Sequence, residues 1–269
     1  MHISTDPSII PSVTWLLCAH AVNSELQPAI NSCLQQVYTD FELLVVANGP
    51  KCLSIKTFLT STFDSDKRLR IITTPIADLR FSLSLGIHYS RASLIARMDS
   101  DDISLPDRLL RQTDFLNRNP HISIVGSFYE FIDAYGTPGK TIHLPLSNAD
   151  IRNTLFYKNP LCHPSVMFRK SIVIEYGGYN GGIFSEDYDL WCRLSMNESV
   201  IFANIPYVCL QYRVNGVSPA RHSLLAYSSM ASTQLAAFLS TLDLRWLLGY
   251  LLSLSKLFFR LLSRQILIQ

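Results

Sequence analysis

Short apolar runs alternate with amphipathic stretches through the first half of the chain. Apolar runs of strand length cover residues 13–18, 41–46, 69–72 and 94–98, and stretches of helical spacing cover 26–36, 53–61 and 81–90. Strands that alternate with helices favour a parallel sheet covered by helices. The pattern therefore predicts an α/β fold with a mostly parallel central sheet flanked by helices.

The second half is more interrupted. Residues 106–117, 149–156 and 188–196 have helical spacing, and residues 122–126, 128–132 and 165–168 are strand-like. Asn159-Pro160 and a glycine-rich loop at residues 176–182 separate these elements. The same α/β architecture is expected to continue with shorter pieces.

The last part of the chain is an amphipathic helical segment. Residues 242–262 are mostly leucine and aromatic, yet their longest charge-free stretch is far shorter than the ~20 residues of a membrane-spanning helix. At ~100° per residue, one arc of ~100° holds Gly249, Ser253 and the basic residues Arg245, Lys256, Arg260 and Arg264. A basic stripe on an apolar helix suits a membrane interface. A helix that packs on its own domain and a dimer contact are the alternatives.

Composition narrows the class of protein. The 269 residues are 48% hydrophobic and 16% charged, and the net charge of +2 argues against a nucleic-acid binder. Six scattered cysteines without a C-x-x-C pair indicate buried thiols in a reducing compartment. The N-terminus lacks the basic and apolar regions of a secretory signal, so we expect a cytoplasmic protein. The oligomeric state is left open.

Three carboxylates follow the apolar run at residues 94–98. Asp99, Asp101 and Asp102 repel one another unless a cation offsets their charge, and their hard oxygens suit Mg²⁺ or Mn²⁺. The end of a strand in an open α/β sheet is where such sheets bind ligands. A solvated turn or a helix cap is the alternative for such a cluster. A calcium loop of the EF-hand type is excluded, because Ser104 and Leu110 stand where it needs Gly and Glu.

A second acidic pair, Glu186 and Asp187, follows the glycine-rich loop at the head of a predicted helix. A carboxylate can act as a general base, and carboxylates at the head of a helix also complement the dipole at its N-terminus. Considered alone, the pair favours the second interpretation.

An ordered series of motifs between about residues 12 and 218 resembles the family 2 inverting glycosyltransferases. The series comprises residues 95–109 (IARMDSDDISLPDRL), Gln112, 119–127, 159–160, 163–169, 177–179, 186–191 and 212–213. The resemblance implies a GT-A-type fold in residues 1–218. Its donor half would cover about residues 12–118 and its acceptor half about 119–218, followed by a helical tail at 219–269.

The resemblance also implies roles for the acidic residues. The metal-binding D-x-D motif of the family falls on Asp99 and Asp101, which would hold Mn²⁺ or Mg²⁺ against the diphosphate of a nucleotide-sugar. Asp99 would thereby also contact the nucleotide. The catalytic base of the family falls on Asp187, with Glu186 as the second candidate.

The chain departs from the family pattern after its second strand. Where the family usually has two aspartates, this chain has Ala47-Asn48, and Asn48 is the residue expected to contact the nucleotide through its amide oxygen. Asp102, His163 and Trp191 are further candidates for the donor or acceptor pocket. A structural histidine before Pro164 and a core tryptophan are the alternatives for the last two.

Two arginines have open roles. Arg108 would neutralise phosphate or pair with Asp107 or Asp102. Arg213 would reach the diphosphate or cap the final strand. The sequence does not decide between these roles.

The leading functional hypothesis is a metal-dependent inverting glycosyltransferase. It would move a sugar from a nucleotide-sugar to a glycan or lipid-linked acceptor in cell-surface polysaccharide synthesis, on the inner face of the plasma membrane. A degenerate family member acting as a membrane scaffold is the alternative, which Asn48 favours and the intact acidic residues oppose. A nucleotidyltransferase or phosphohydrolase fits the metal but not the Glu186-Asp187 loop.

Overall fold

The computed structural model describes residues 10–214 and 223–266, with side chains to Leu261. The N-terminal residues before Ile10, the expected boundary near Ser218 and the side chain of Arg264 lie outside this range. The strands are β1 Val13–Ala19, β2 Phe41–Asn48, β3 Leu69–Thr74, β4 Leu94–Met98, β5 Ile103–Ser104, β6 Ile122–Ile132, β7 Pro138–Ile142, β8 Met167–Arg169 and β9 Ile201–Arg213. The described helices are α1 Leu26–Leu34, α2 Cys52–Phe63, α3 Leu79–Tyr89, α4 Arg108–Arg118, α5 Asn148–Leu155, α6 Lys170–Glu175, α7 Glu186–Ser195, α8 Leu224–Thr241 and α9 Leu244–Ile266.

One mixed sheet organises the described chain, in the order β3-β2-β1-β4-β8-β6-β9-β5, with β7 paired to β6. The strands β1 to β4 are parallel, and β8 is antiparallel to both of its neighbours, β4 and β6. The strands β6 and β9 are again parallel. The predicted α/β fold with helices flanking a central sheet is therefore confirmed. The predicted parallel pairing holds among β1 to β4 and between β6 and β9, and the other four pairings of the described strands are antiparallel.

Alternation along the strands gives the sheet two buried faces. On β1, Trp15 and Leu17 join the apolar cluster that packs against α1 and α2, whereas Leu16 joins the cluster on the other face. On β4, Ile95 lies on that second face, and alternation places Arg97 there too. The functional side chains therefore emerge on the second face.

A fully buried arginine joins the two parts of the sheet. Arg108 donates to the carbonyl oxygens of Arg97 and Pro164, both at 2.7 Å, and its guanidinium lies 4.6 Å from the Trp15 ring centroid. Burial lowers the pKa of Arg108 to about 10, so the side chain remains charged at neutral pH. Its role is structural, and neither of the roles considered for it in the sequence applies.

Several boundaries differ from the expectations. The two predicted strands at 122–126 and 128–132 form one continuous strand, β6, because β9 pairs along nearly its whole length. The predicted strand at 165–168 is divided into a 3₁₀ turn at His163–Ser165 and the short β8. The helix predicted from residue 188 begins at Glu186, so both acidic residues belong to its first turn.

The C-terminal helix packs on the domain through its small residues. A Cβ atom added to Gly249 would lie 1.9 Å from the Phe156 carbonyl oxygen, so only glycine permits this approach. The hydroxyl of Ser253 donates to Gln234 Oε1 at 2.7 Å, and both of these side chains are buried. Gly249 and Ser253 therefore face the protein, and the helix packs on its own domain.

The opposite face of α9 is apolar and exposed. It consists of Leu244, Leu248, Leu251, Leu252, Phe258 and Phe259. Within the described residues, none of the helices combines the length and apolar character needed to cross a bilayer.

Candidate active site

A cavity of about 550 Å³ lies next to the carboxyl end of β4. Asp99, His163, Glu186 and Asp187 all line it, although they are far apart in sequence. The parallel β1–β4 pair delivers Asp99, the 3₁₀ turn delivers His163, and α7 delivers the acidic pair. Four of the residues singled out in the sequence therefore share one chamber.

Arg97 is the buried cation of the site. Its side chain is 3% exposed and lines the cavity, and Nη1 lies 2.5 Å from Asp99 Oδ2. Burial is the largest single effect and opposes the charge on Arg97, but the charge and hydrogen bond of Asp99, with smaller effects of Tyr179 and Cys18, together outweigh it and raise the Arg97 pKa. The guanidinium thus stays ionised beside the aspartate cluster.

Asp101 and Asp102 adjoin Asp99. The three carboxylates can each place one oxygen atom within 4.8 Å of the others. Burial, followed by the charge of Asp99, raises the Asp101 pKa to about 6 and raises the Asp102 pKa well above its ordinary value. A cluster with this much unbalanced negative charge favours a bound cation.

The fit of this cluster to a divalent metal can be tested on Asp102. One of its oxygens accepts a hydrogen bond from the backbone N–H of Arg213 at 2.8 Å. The other oxygen, Oδ2, is buried and has no hydrogen-bond partner among the described residues. Clustered hard oxygens, one of them without a partner, fit Mg²⁺ or Mn²⁺.

Arg213, at the end of β9, holds the loop of Asp101 and Asp102 through hydrogen bonds. Its Nε donates to the carbonyl oxygen of Asp101 at 2.9 Å, and its Nη1 donates to the carbonyl oxygen of Asp133 at 3.0 Å. This agrees with the strand-capping alternative. Its charge also lowers the Asp101 pKa, against the larger effects of burial and Asp99.

The first turn of α7 holds Asp187 in a fixed orientation. One carboxylate oxygen accepts from Asn159 Nδ2 at 2.6 Å, and the other accepts from the backbone N–H of Tyr188 at 2.8 Å. Phe184, two residues before the helix, also lines the cavity and has a φ of 58°, which is rare outside glycine. Asp187 therefore both lines the cavity and satisfies the helix N-terminus.

Glu186 has a different environment from its neighbour. Burial, followed by the charge of Asp187, raises the Glu186 pKa to about 7. The two carboxylates are adjacent at the cavity wall, so their charges repel, and the charge of Asp187 favours the protonated form of Glu186.

His163 is neutral and hydrogen-bonded. Its Nε2 lies 2.8 Å from the hydroxyl oxygen of Tyr179. Burial and the charge of Arg97 lower the His163 pKa well below its ordinary value. His163 thus lines the cavity as a polar group without charge.

Three of the residues predicted to contact the nucleotide or to form the pocket do not line this cavity. Trp191 is fully buried in the second-face core, because its position on α7 points into the domain, so its assignment to the pocket was wrong. Asn48 is buried at the end of β2, with β1 between it and β4. Two strand spacings, about 9–10 Å, therefore separate the backbones of β2 and β4 there. Asp102 lies beside Asp99 but is not part of the cavity wall.

A sequence profile described as "Glycosyl transferase family 2" matches residues 14–177. The O-antigen biosynthesis glycosyltransferase WbnJ of Escherichia coli is 36% identical over 233 residues, covering 86% of this chain and 90% of that protein. The chain belongs to glycosyl transferase family 2. It is accordingly a glycosyltransferase, as the resemblance implied.

Two solved structures share the fold with this glycosyltransferase. S. aureus TarS in complex with UDP-GlcNAc matches with a TM-score of 0.64 and 13% identity, over 83% of this chain and 66% of that one. The mannosyltransferase PcManGT from Pyrobaculum calidifontis, in complex with GDP-Man and Mn²⁺, matches with a TM-score of 0.62 and 14% identity. That match covers 88% of this chain and 66% of the other. The GT-A-type fold of the glycosyltransferase is thereby confirmed.

Sequence reasoning missed several residues of the glycosyltransferase cavity. Arg97, Lys158, Asn159 and Lys256 all line it. A charged residue inside the apolar run of β4 was the available signal for Arg97. The contact between Asn159 and Asp187 joins residues 28 positions apart and left no signal in the sequence.

The raised pKa of Glu186 predicts a pH-dependent stability. A carboxyl group whose pKa rises from 4.5 to about 7 on folding is protonated more readily in the folded state than in the unfolded state. The free energy of unfolding therefore falls as pH rises from 4.5 to about 7. We expect Glu186→Gln to raise the free energy of unfolding by on the order of 1–3 kcal/mol near pH 8, and by close to nothing near pH 4.5. Urea unfolding in EDTA at both pH values measures this difference.

The exposed Glu198→Gln is the matched control, and its effect should be small at both pH values. An equal effect of Glu186→Gln at the two pH values would contradict the assigned environment of Glu186.

Proposed function

We propose that this protein is a metal-dependent, inverting glycosyltransferase of polysaccharide biosynthesis. It would transfer a sugar from a nucleotide-sugar donor to a hydroxyl group of a glycan or lipid-linked acceptor. The observation that carries the proposal is the shared cavity, in which Asp99 meets Glu186 and Asp187. The similarity to an O-antigen glycosyltransferase over most of both chains supports the assignment to polysaccharide biosynthesis.

Asp99 and Asp101 are the residues proposed to hold Mn²⁺ or Mg²⁺. Bound there, the ion would act as a Lewis acid that stabilises charge on the departing diphosphate. Arg97 adds a positive charge behind Asp99, and the buried Nε of Arg97 has no hydrogen-bond partner among the described residues. The complex of PcManGT with GDP-Man and Mn²⁺ and that of TarS with UDP-GlcNAc support this choice of ligands.

The transfer step is a single displacement. The acceptor hydroxyl oxygen attacks the anomeric carbon as the bond to the diphosphate oxygen breaks, and that electron pair leaves with the diphosphate. The hydroxyl proton passes to the carboxylate of Asp187, which Asn159 and the Tyr188 N–H orient. Attack from the face opposite the leaving group inverts the anomeric centre.

Asp187 is favoured as the base over Glu186 because it is oriented by two hydrogen bonds. The pKa of about 7 makes Glu186 the second candidate, since a base works best near the operating pH. A non-catalytic scaffold would require none of these arrangements.

We further propose that α9 contacts a membrane surface on the cytoplasmic side. Its outward face exposes Phe258 and Phe259 by 59% and 67%, and Lys256 and Arg260 lie on the same helix. An apolar face with basic residues beside it is typical of an interfacial helix. All six cysteines are free thiols, in agreement with a reducing compartment.

A thermal-shift experiment tests the donor site. One of UDP, GDP, dTDP and CMP should stabilise the protein with Mn²⁺ but not with EDTA. A ligand at ~100 times its dissociation constant adds about 2.7 kcal/mol. Asp101→Asn should remove this stabilisation, whereas Asp107→Asn, at the half-buried N-cap position of α4, should retain it. A metal-independent shift, or none for any nucleotide, would contradict the proposed donor site.

Substitution of the acidic pair tests the base. Asp187→Asn should leave Mn²⁺-dependent nucleotide binding intact and reduce sugar transfer by about 10²-fold or more. The reason is that the asparagine amide cannot take the proton from the attacking hydroxyl group. Glu186→Gln should reduce transfer less. A normal rate in Asp187→Asn, with a large loss in Glu186→Gln, would assign the base to Glu186.

Vesicle sedimentation tests the membrane contact. The double substitution Phe258→Glu and Phe259→Glu should reduce binding to vesicles containing phosphatidylglycerol by about tenfold or more, because it removes apolar surface from the contact. Leu53→Glu, at an exposed site on α2, is the matched control. These substitutions leave the Gly249 and Ser253 packing in place, so loss of the fold would not account for the result. Equal binding of all variants would exclude α9 as the contact.

A further inference from the structure

Two lysines line the cavity without a role in the proposed transfer step. Lys158 follows α5, and Lys256 lies in α9. Both side chains are exposed, and neither forms an ion pair with a carboxylate of the described residues. Two lysine cations therefore face the cavity that Asp99, Glu186 and Asp187 also line.

Two arginines near the cavity, Arg97 and Arg213, already have partners within the protein. Arg97 pairs with Asp99, and Arg213 donates to the carbonyl oxygens of Asp101 and Asp133. A second anionic group, bound apart from the aspartate cluster, would therefore meet Lys158 and Lys256. Lysine ammonium groups bind phosphate oxygens through charge-assisted hydrogen bonds.

The structure also fixes what lies beside Lys256. Ser253, one turn earlier in α9, is anchored to Gln234, and Gln234 donates to the hydroxyl oxygen of Tyr188 at 3.0 Å. Leu252 and Phe259, four residues before and three residues after Lys256, are exposed neighbours on the helix surface. The cationic edge of the cavity thus adjoins an open apolar surface.

Resting on the proposed function, we propose that Lys158 and Lys256 bind a phosphate or diphosphate group that joins the acceptor sugar to an apolar chain. The acceptor is then an amphiphile. Its sugar hydroxyl lies at Asp187, its anionic group at the two lysines, and its apolar chain along the exposed face of α9. The donor diphosphate belongs instead to the site of Asp99 and Asp101.

Isothermal titration of the full chain with farnesyl diphosphate and with farnesol tests this assignment. EDTA is present, so that no metal recruits the diphosphate to the aspartates. The wild type should bind the diphosphate more tightly than the alcohol. Lys158→Met and Lys256→Met should each weaken diphosphate binding by about tenfold, the value of one charge-assisted hydrogen bond, while Lys158→Arg and Lys256→Arg retain most of it.

Lys67→Met is the matched control, because Lys67 is exposed in the loop before β3 at the far edge of the sheet. If Lys67→Met weakened farnesyl diphosphate binding as much as the two cavity variants, the diphosphate would be attracted only to the overall positive charge of the protein. That result would overturn the proposal. A wild type without preference for farnesyl diphosphate over farnesol would also overturn it.

A separate arm distinguishes this proposal from the donor site. The methionine variants should keep the Mn²⁺-dependent stabilisation by nucleotide, and Asp101→Asn should keep farnesyl diphosphate binding. If the methionine variants lose nucleotide binding, the lysines serve the donor and the proposal fails. If the wild type shows no Mn²⁺-dependent nucleotide binding, the proposed function fails independently of the lysine result.

Discussion

The ion pair between Arg97 and Asp99 allows the carboxylates of the cavity to lie close together. Asp101, Asp102 and Glu186 all have raised pKa values, and in each case the charge of Arg97 opposes the increase. A guanidinium is suited to this position because it stays protonated even when buried. The position of Arg97 depends in turn on Arg108, which donates to its carbonyl oxygen and joins β4 to the turn before β8. Charge balance and strand placement are therefore linked at one point of the sheet.

The acidic pair and the C-terminal helix are joined by a second set of contacts. Tyr188, the residue after Asp187, donates to the Leu155 carbonyl oxygen and accepts from Gln234, which in turn accepts from Ser253 in α9. All four of these residues are buried. Buried polar groups need partners, so displacement of α9 would leave Gln234 unsatisfied beside α7. The helix that exposes an apolar face is thus structurally continuous with the helix that carries the proposed base.

Prediction from the sequence succeeded where the signal was local. The runs at β1, β2 and β4 and the helices between them were found because burial on both sheet faces requires continuous apolar residues. It failed for β6 and the β8 region, where pairing with distant strands decided the boundaries. The cavity assignment of Trp191 failed for a related reason. A large aromatic residue on an amphipathic helix packs in the core or lines a pocket according to what faces it, and here it faces the second-face core.

By itself, the sequence determined the α/β architecture, the family and the order of the acidic motifs, because spacing and residue type are properties of the chain. Only the tertiary structure decided that Asp99, His163, Glu186 and Asp187 share one cavity, that Asn159 orients Asp187, and that Lys158 and Lys256 line the same cavity. It also decided which face of α9 is buried, because Gly249 and Ser253 find partners on Phe156 and Gln234. These facts depend on contacts between residues far apart in sequence, and such contacts leave no periodicity from which they can be predicted.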